Sequence, residues 1–158
     1  MQSLEGSFKP LMSREEAIAN IYELEEAILK LPNSFNKHSL NFSYRHWFVP
    51  GIYGREITIP ANCVLTTEIH ASENIAVVSK GAFTFYTERG LEYIEAPATM
   101  VTKIGTKRAM YTHTEVIFTT FHCNPDNERD IDTLVARYTF KNEIVYQQYK
   151  QDLLEVAS

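Results

Sequence analysis

Between Arg45 and Cys123 the chain is a succession of short runs rich in β-branched and aromatic residues, each closed by turn residues. Tyr53 to Ile59, Val64 to His70, Ile75 to Ser79 and Ala82 to Glu88 read as strands, as do Leu91 to Glu95, Met100 to Ile104, Arg108 to Thr112 and Glu115 to Cys123. Pro60-Ala61-Asn62, Lys80-Gly81 and Glu88-Arg89-Gly90 supply turns between them, the last suited to a tight hairpin. Short strands at nearly even intervals predict a sandwich or small barrel and argue against alternating βαβ units.

Helical patterns flank this region. Ser13 and Glu16 have the spacing of a capping box, and Ala17, Ile21, Leu24, Ile28 and Leu31 recur at helical intervals until Pro32-Asn33 stops them. Glu15, Glu16, Glu23, Glu25 and Glu26 fall off that stripe and predict a solvated acidic face. Beyond Asn124-Pro125, Glu128 to Tyr138 reads as a short helix burying Ile131, Leu134 and Val135, and Glu143 to Val156 as a second one carrying Tyr146, Tyr149 and Leu153. The predicted organisation is a helix and lead-in over 1–44, a barrel over 45–124 and a helical segment over 125–158. At 158 residues these belong to a single domain.

Composition excludes some roles. Apolar residues make up 44% and charged residues 22%, close to ordinary globular averages, so disorder does not describe the whole. A net charge of -5 argues against a broad electrostatic grip on nucleic acid. No apolar run approaches the roughly 18 to 20 residues that cross a bilayer, and the N-terminus lacks a secretory pattern, so a cytoplasmic protein with no membrane partner is expected. Cys63 and Cys123 stand far apart without CxxC spacing and are expected to be buried small hydrophobes.

The chemistry-bearing residues are few. Strand alternation through Val64 to His70 puts Thr66, Glu68 and His70 on one face, which points to solvent in an ordinary sandwich and into the cavity in a ligand-holding barrel. Arg55, Lys103, Lys107 and Arg108 form a cationic set, with Tyr53, Tyr111 and His113 close in sequence. Converging, they would bind an anion, because guanidinium forks match carboxylate and phosphate; the alternative is that Lys107 and Arg108 are solvated or pair with Glu92 or Glu95. Glu68 reads equally as a desolvated acid or base and as an ion-pair partner for Arg108. His46, Trp47 and Phe48 read as packing residues. His122 and Cys123 face opposite ways and do not share one metal.

The segment Glu68-x-His70-x3-Asn74-x6-Gly81 has the spacing of the first motif of the cupin superfamily, H-x-H-x3-E-x6-G, matching it by identity at His70 and Gly81. Lys103 to Arg108 resembles the second motif, with Arg108 where that motif has its His. The chain also resembles cupin-like proteins of unknown function from bacteriophages, through Pro50-Gly51-Ile52-Tyr53-Gly54-Arg55-Glu56, Ile59-Pro60-Ala61, Asn74-Ile75, Lys80-Gly81, Ala96-Pro97 and Gly105 to Arg108.

The resemblance implies a mainly β fold: a cupin-type double-stranded β-helix, or jelly-roll, barrel with an N-terminal helix and C-terminal helical segments. Within that fold the cationic set points to a small anionic ligand, with a nucleotide among the candidates, in the barrel or at a subunit interface, contacted by Arg55, Glu68, His70, Lys107, Arg108, Tyr111, His113 and Tyr53. The phage likeness extends this to an anti-defence role, the sequestering of a host signalling nucleotide in the host cytoplasm. Asn is a weak transition-metal ligand and a guanidinium cannot coordinate one, so no metal is favoured; one present would use Glu68, His70 or Glu73, with His113 as a further candidate. The alternatives are a metal-dependent isomerase, hydrolase or oxygenase, and a structural or assembly module. A homo-oligomer is expected in each case.

Overall fold

The computed structural model describes residues 11–30 and 42–157. Its elements are α1 (Arg14–Leu29), β1 (Ser43–Val49), β2 (Gly51–Ile59), β3 (Val64–Thr66), β4 (Ile69–His70), β5 (Asn74–Lys80), β6 (Ala82–Thr87), β7 (Gly90–Glu95), β8 (Ala98–Thr102), β9 (Ala109–Thr112), β10 (Val116–Asn124), α2 (Ile131–Tyr138), β11 (Thr139–Phe140) and α3 (Glu143–Val156). The aromatic stretch His46-Trp47-Phe48 belongs to β1, an antiparallel partner of β2 that sequence patterning did not separate out. The expected strand from Val64 to His70 is broken into β3 and β4, because Thr67 turns its backbone N–H and its hydroxyl to Arg108.

The strand pairs are nested. β2 pairs with β10, β3 with β9, β5 with β8 and β6 with β7, all antiparallel. Pairing of β5 with β10 and of β6 with β9 gathers them into a sheet of order β1-β2-β10-β5-β8 and a second of order β3-β9-β6-β7. This is a long double-stranded ribbon rolled up on itself, the winding of a jelly roll.

Alternation then decides what enters the space between the sheets. Ile57, Ile59, Val78 and Val116 from the first sheet meet Phe83, Phe85 and Met110 from the second, with Cys63 among them. Each of these large side chains contributes roughly 1.5 to 3 kcal/mol by leaving water. Cys63 is buried as expected, whereas Cys123 is exposed, since β10 sends its neighbour His122 inward.

The helices are tied to the barrel by polar contacts. α1 opens with its capping box, Ser13 Oγ accepting from Glu16 N at 3.1 Å and Glu16 Oε2 accepting from Ser13 N at 2.9 Å. Its apolar side buries Ala17, Ile18 and Ile21, while Leu31 lies outside the described residues. Arg14 donates to Glu143 of α3 at 2.6 and 3.0 Å and to the Gly105 carbonyl at 2.7 and 3.1 Å. Gly105 has φ of +79°, and a Cβ there would run into the Tyr146 ring, so this junction requires glycine. Glu25 is not part of a purely solvated acidic face. It accepts from Lys107 Nζ at 2.8 Å and from the Thr66 hydroxyl.

The Lys107 ammonium is almost wholly buried, its side chain 3% exposed against 22% for Glu25. Lys107→Met is expected to lower unfolding stability by about 2 to 4 kcal/mol, because it strands a partly buried carboxylate. Lys80→Met, which breaks a pair with side chains 58% and 50% exposed, is expected to cost under about 1 kcal/mol. Urea denaturation of the two variants beside the parent protein measures the difference.

Candidate functional site

The inner face of the five-stranded sheet changes character along its strands. Successive inward rows are Ile59 with Val116, then Ile57, Phe118, Val78 and Ala98, then Arg55, Thr120, Ala76 and Met100. The last row carries Tyr53 and His122, and Asn74 beside Thr102. The barrel is therefore dry at one end and polar at the other, where Arg55, Thr120, His122, Asn74 and Thr102 face inward.

His70 and Arg108 reach the same polar end from outside this sheet. Asn74 Nδ2 donates to His70 Nδ1 at 3.2 Å, and Arg108 donates to Thr102 Oγ1 at 3.1 Å with its guanidinium 4.8 Å from the centre of the Phe85 ring. Arg55 lies 4.7 Å over the Tyr44 ring. Tyr53 is buried between aromatic neighbours, bonded through its hydroxyl to His46 Nδ1 at 2.8 Å and stacked against His122 and Tyr138.

Burial and the two guanidiniums suppress imidazole protonation. Burial first, then the charges of Arg108, His122 and Arg55, hold His70 down at about 3. Burial and Arg55 hold His122 at about 4. Burial also lowers the Arg108 pKa from the ordinary arginine value, against the charge of Glu92. Near neutral pH the cluster thus presents two neutral imidazoles between two cations. Among the described residues neither Arg55 nor Arg108 forms an ion pair, and Glu92 is bound to Arg89 at 3.0 Å.

The residues singled out from the sequence divide into two groups. Arg55, His70, Arg108 and Tyr53 converge on the polar end of the barrel. Lys107 does not: it is one position from Arg108 and points the opposite way, to Glu25, the Thr67 carbonyl and the Tyr22 ring. The break between β3 and β4 leaves Glu68 in neither strand, so alternation no longer ties it to the face of His70; at Tyr22 of α1, burial first and then the charge of Glu25, with a smaller share from Glu68, raise the hydroxyl pKa. Tyr111 and His113 lie on the outer surface, Tyr111 bonded to Asn62 Oδ1 at 2.9 Å and His113 to Thr84 Oγ1 at 2.7 Å. Glu73 is exposed and pairs with Lys103 at 3.0 Å.

His122 is the member that sequence reasoning weighed only as a metal partner of Cys123 and left out of the site. The signal was available: counting by twos from Val116 through Phe118 and Thr120 leads inward to His122. A groove of about 440 Å³ between α1 and α3 is a separate feature, lined by Glu15, Ile18, Ala19, Tyr22, Glu143 and Gln147, and brings no cation or imidazole to the site.

The donor set does not fit a divalent transition metal. Among the described residues no three His, Cys, Asp or Glu side chains gather to hold one. His70 Nδ1 is taken up by the Asn74 amide, and the positive charges of Arg108 and Arg55 act on the same imidazole, which disfavours a further cation there.

No protein-family profile and no curated protein sequence matches the chain. Solved structures do. Salicylate 1,2-dioxygenase from Pseudoaminobacter salicylatoxidans, in adducts with gentisate, matches with a TM-score of 0.53 at 12% identity, over 90% of this chain and 41% of that one. A cupin domain of an XRE-family transcriptional regulator from Enterobacter cloacae matches with a TM-score of 0.45 at 11% identity, over 54% of this chain and 98% of that one. KdgF from a Halomonas species matches with a TM-score of 0.47 at 13% identity, over 58% of this chain and 88% of that one. The dioxygenase match and the nested strand order together establish a mainly β fold, a cupin-type jelly-roll barrel with flanking helices.

The depressed histidines make stability pH-dependent. An unfolded His takes up a proton near pH 6.5, whereas folded His70 and His122 resist until about 3 and about 4. The unfolded state therefore binds more protons in that window, and stability falls as pH drops from about 6.5 towards 3, by up to about 1.4 kcal/mol per pH unit for each histidine. Thermal melts across that range should show a shallower acid slope in His70→Gln and His122→Gln than in the parent.

Proposed function

We propose that the chain binds a small anion, a carboxylate or phosphate compound, at the polar end of its barrel, with Arg55 and Arg108 as the charged contacts. The observation that carries this reading is that Arg55 and Arg108 both reach the polar end of the barrel beside His70, Asn74 and Thr102, without an ion pair to either among the described residues. Arg108 is largely withdrawn from water without an ion pair, and an anion arriving beside it would offset the cost of that unpaired charge. Neutral His70 and His122 add hydrogen-bonding groups without further charge. The guanidinium forks match the planar pairs of oxygens on carboxylate or phosphate.

A nucleotide is the larger member of this class. The resemblance of the chain's motifs to those of phage proteins motivates a use for it: sequestering a host signalling nucleotide, unchanged, as a counter to host defence. Binding needs no catalytic group.

Native mass spectrometry of the protein as purified, followed by calorimetric titration with phosphate, mononucleotides and small carboxylates, tests the reading. A bound anion is expected, with affinity falling about 10- to 100-fold in Arg55→Gln and in Arg108→Gln, each losing charge-assisted hydrogen bonds. Arg108→Lys is expected to recover only part of the loss, since an ammonium lacks the fork. Failure of every anion to bind, or a stoichiometric metal that disappears in His70→Ala, would overturn it in favour of a scaffold or a metal enzyme respectively.

A further inference from the structure

The polar end of the barrel contains acceptors as well as cations, and two of them have no partner. Asn74 Oδ1 and His122 Nδ1 are buried side-chain atoms without a hydrogen bond, on residues 4% and 7% exposed. They are neighbours. Phe121 pairs with Ile75 on the outer face, so the next step along both strands sets His122 beside Asn74 on the inner face. Asn74 in turn pairs with Thr102, whose hydroxyl receives Arg108.

Local bonding decides what each atom offers. The Thr120 hydroxyl donates its single hydrogen to the Arg55 carbonyl at 3.4 Å, so at 3.1 Å from His122 Nε2 its oxygen accepts. With the Thr120 hydrogen on the Arg55 carbonyl, His122 carries its proton on Nε2 and offers a lone pair at Nδ1. Asn74 spends one N–H on His70 Nδ1 at 3.2 Å, which leaves Oδ1 as a bare acceptor and puts the His70 proton on Nε2. The Ser72 hydroxyl, two positions before Asn74 in the chain, is also buried without a partner.

A bare anion drawn in by the arginines would set its negative oxygens against these two lone pairs and leave both unpaired. An anion bearing a hydroxyl or N–H beside its charged group would satisfy arginines and acceptors together. Resting on the anion-site reading above, we propose that the barrel selects anions carrying their own hydrogen-bond donors, hydroxy acids and protonated phosphates in chemical class, with Asn74 Oδ1 and His122 Nδ1 as the specificity-determining acceptors.

Three matched pairs of probes test this by calorimetry at neutral pH: propionate with lactate, succinate with malate, and sulfate with hydrogenphosphate. In every pair that binds, the donor-bearing member should bind at least about tenfold more tightly. Asn74→Leu and His122→Phe, each checked for a native melt, should bring that ratio towards one, while Arg108→Gln should weaken both members of a pair alike. Equal binding within a pair in the parent protein, or a ratio unchanged in both acceptor variants, overturns the donor requirement and leaves the anion site standing. Binding by none of the six probes and by no mononucleotide overturns both.

Discussion

Two sheets share one interior, and every strand has to send alternate side chains into it. In most small barrels the requirement is met by apolar residues throughout, because an enclosed space without water penalises unpaired polar groups. Here it is met in two ways along the same strands. β2 sends in Ile59 and Ile57 and then Arg55 and Tyr53, while β10 opposite sends in Val116 and Phe118 and then Thr120 and His122. The apolar half supplies the burial that holds the sheets together. The polar half spends part of that stability on groups that only a ligand, or water, can fully satisfy.

Charge at the polar end follows from this enclosure. An imidazole in water would be partly protonated just below neutrality. Behind the barrel wall, with Arg55 and Arg108 nearby, protonation would add a third positive charge to a space that already has two, and both histidines stay neutral. Neutral rings donate from one nitrogen and accept at the other, so the cations attract and the histidines and Asn74 discriminate.

The flanking helix is connected to the site through adjacent residues. Lys107 points outward to Glu25 of α1, and Arg108 points inward to Thr102. Thr67 bonds to both residues, its carbonyl accepting from Lys107 Nζ and its hydroxyl from Arg108 N, each within 3.0 Å. Arg14 grips the same loop at the Gly105 carbonyl. The position of the Arg108 backbone is thereby set from outside the barrel by α1, although its guanidinium serves the inside.

Much of this was legible from residue order alone. Period-two patterning and turn residues located most strands, and the cap at Ser13 and the helical periods located three helices, since those signals arise between near neighbours in the chain. The spacing of His70, Asn74, Gly81 and Arg108 pointed to the region of the site. What the sequence could not decide was which side of the wall each side chain takes. Lys107 and Arg108 look alike as cations, and Glu68 and His70 look like members of one strand face. A break in pairing at Thr67 ends the alternation between Glu68 and His70, and a helix contact 82 positions away in the chain draws Lys107 away from Arg108. Tyr111 and His113 went outward and His122 inward for the same reason: alternation gives relative facing within a strand, and only the closure of two sheets on each other makes one of the two faces the interior.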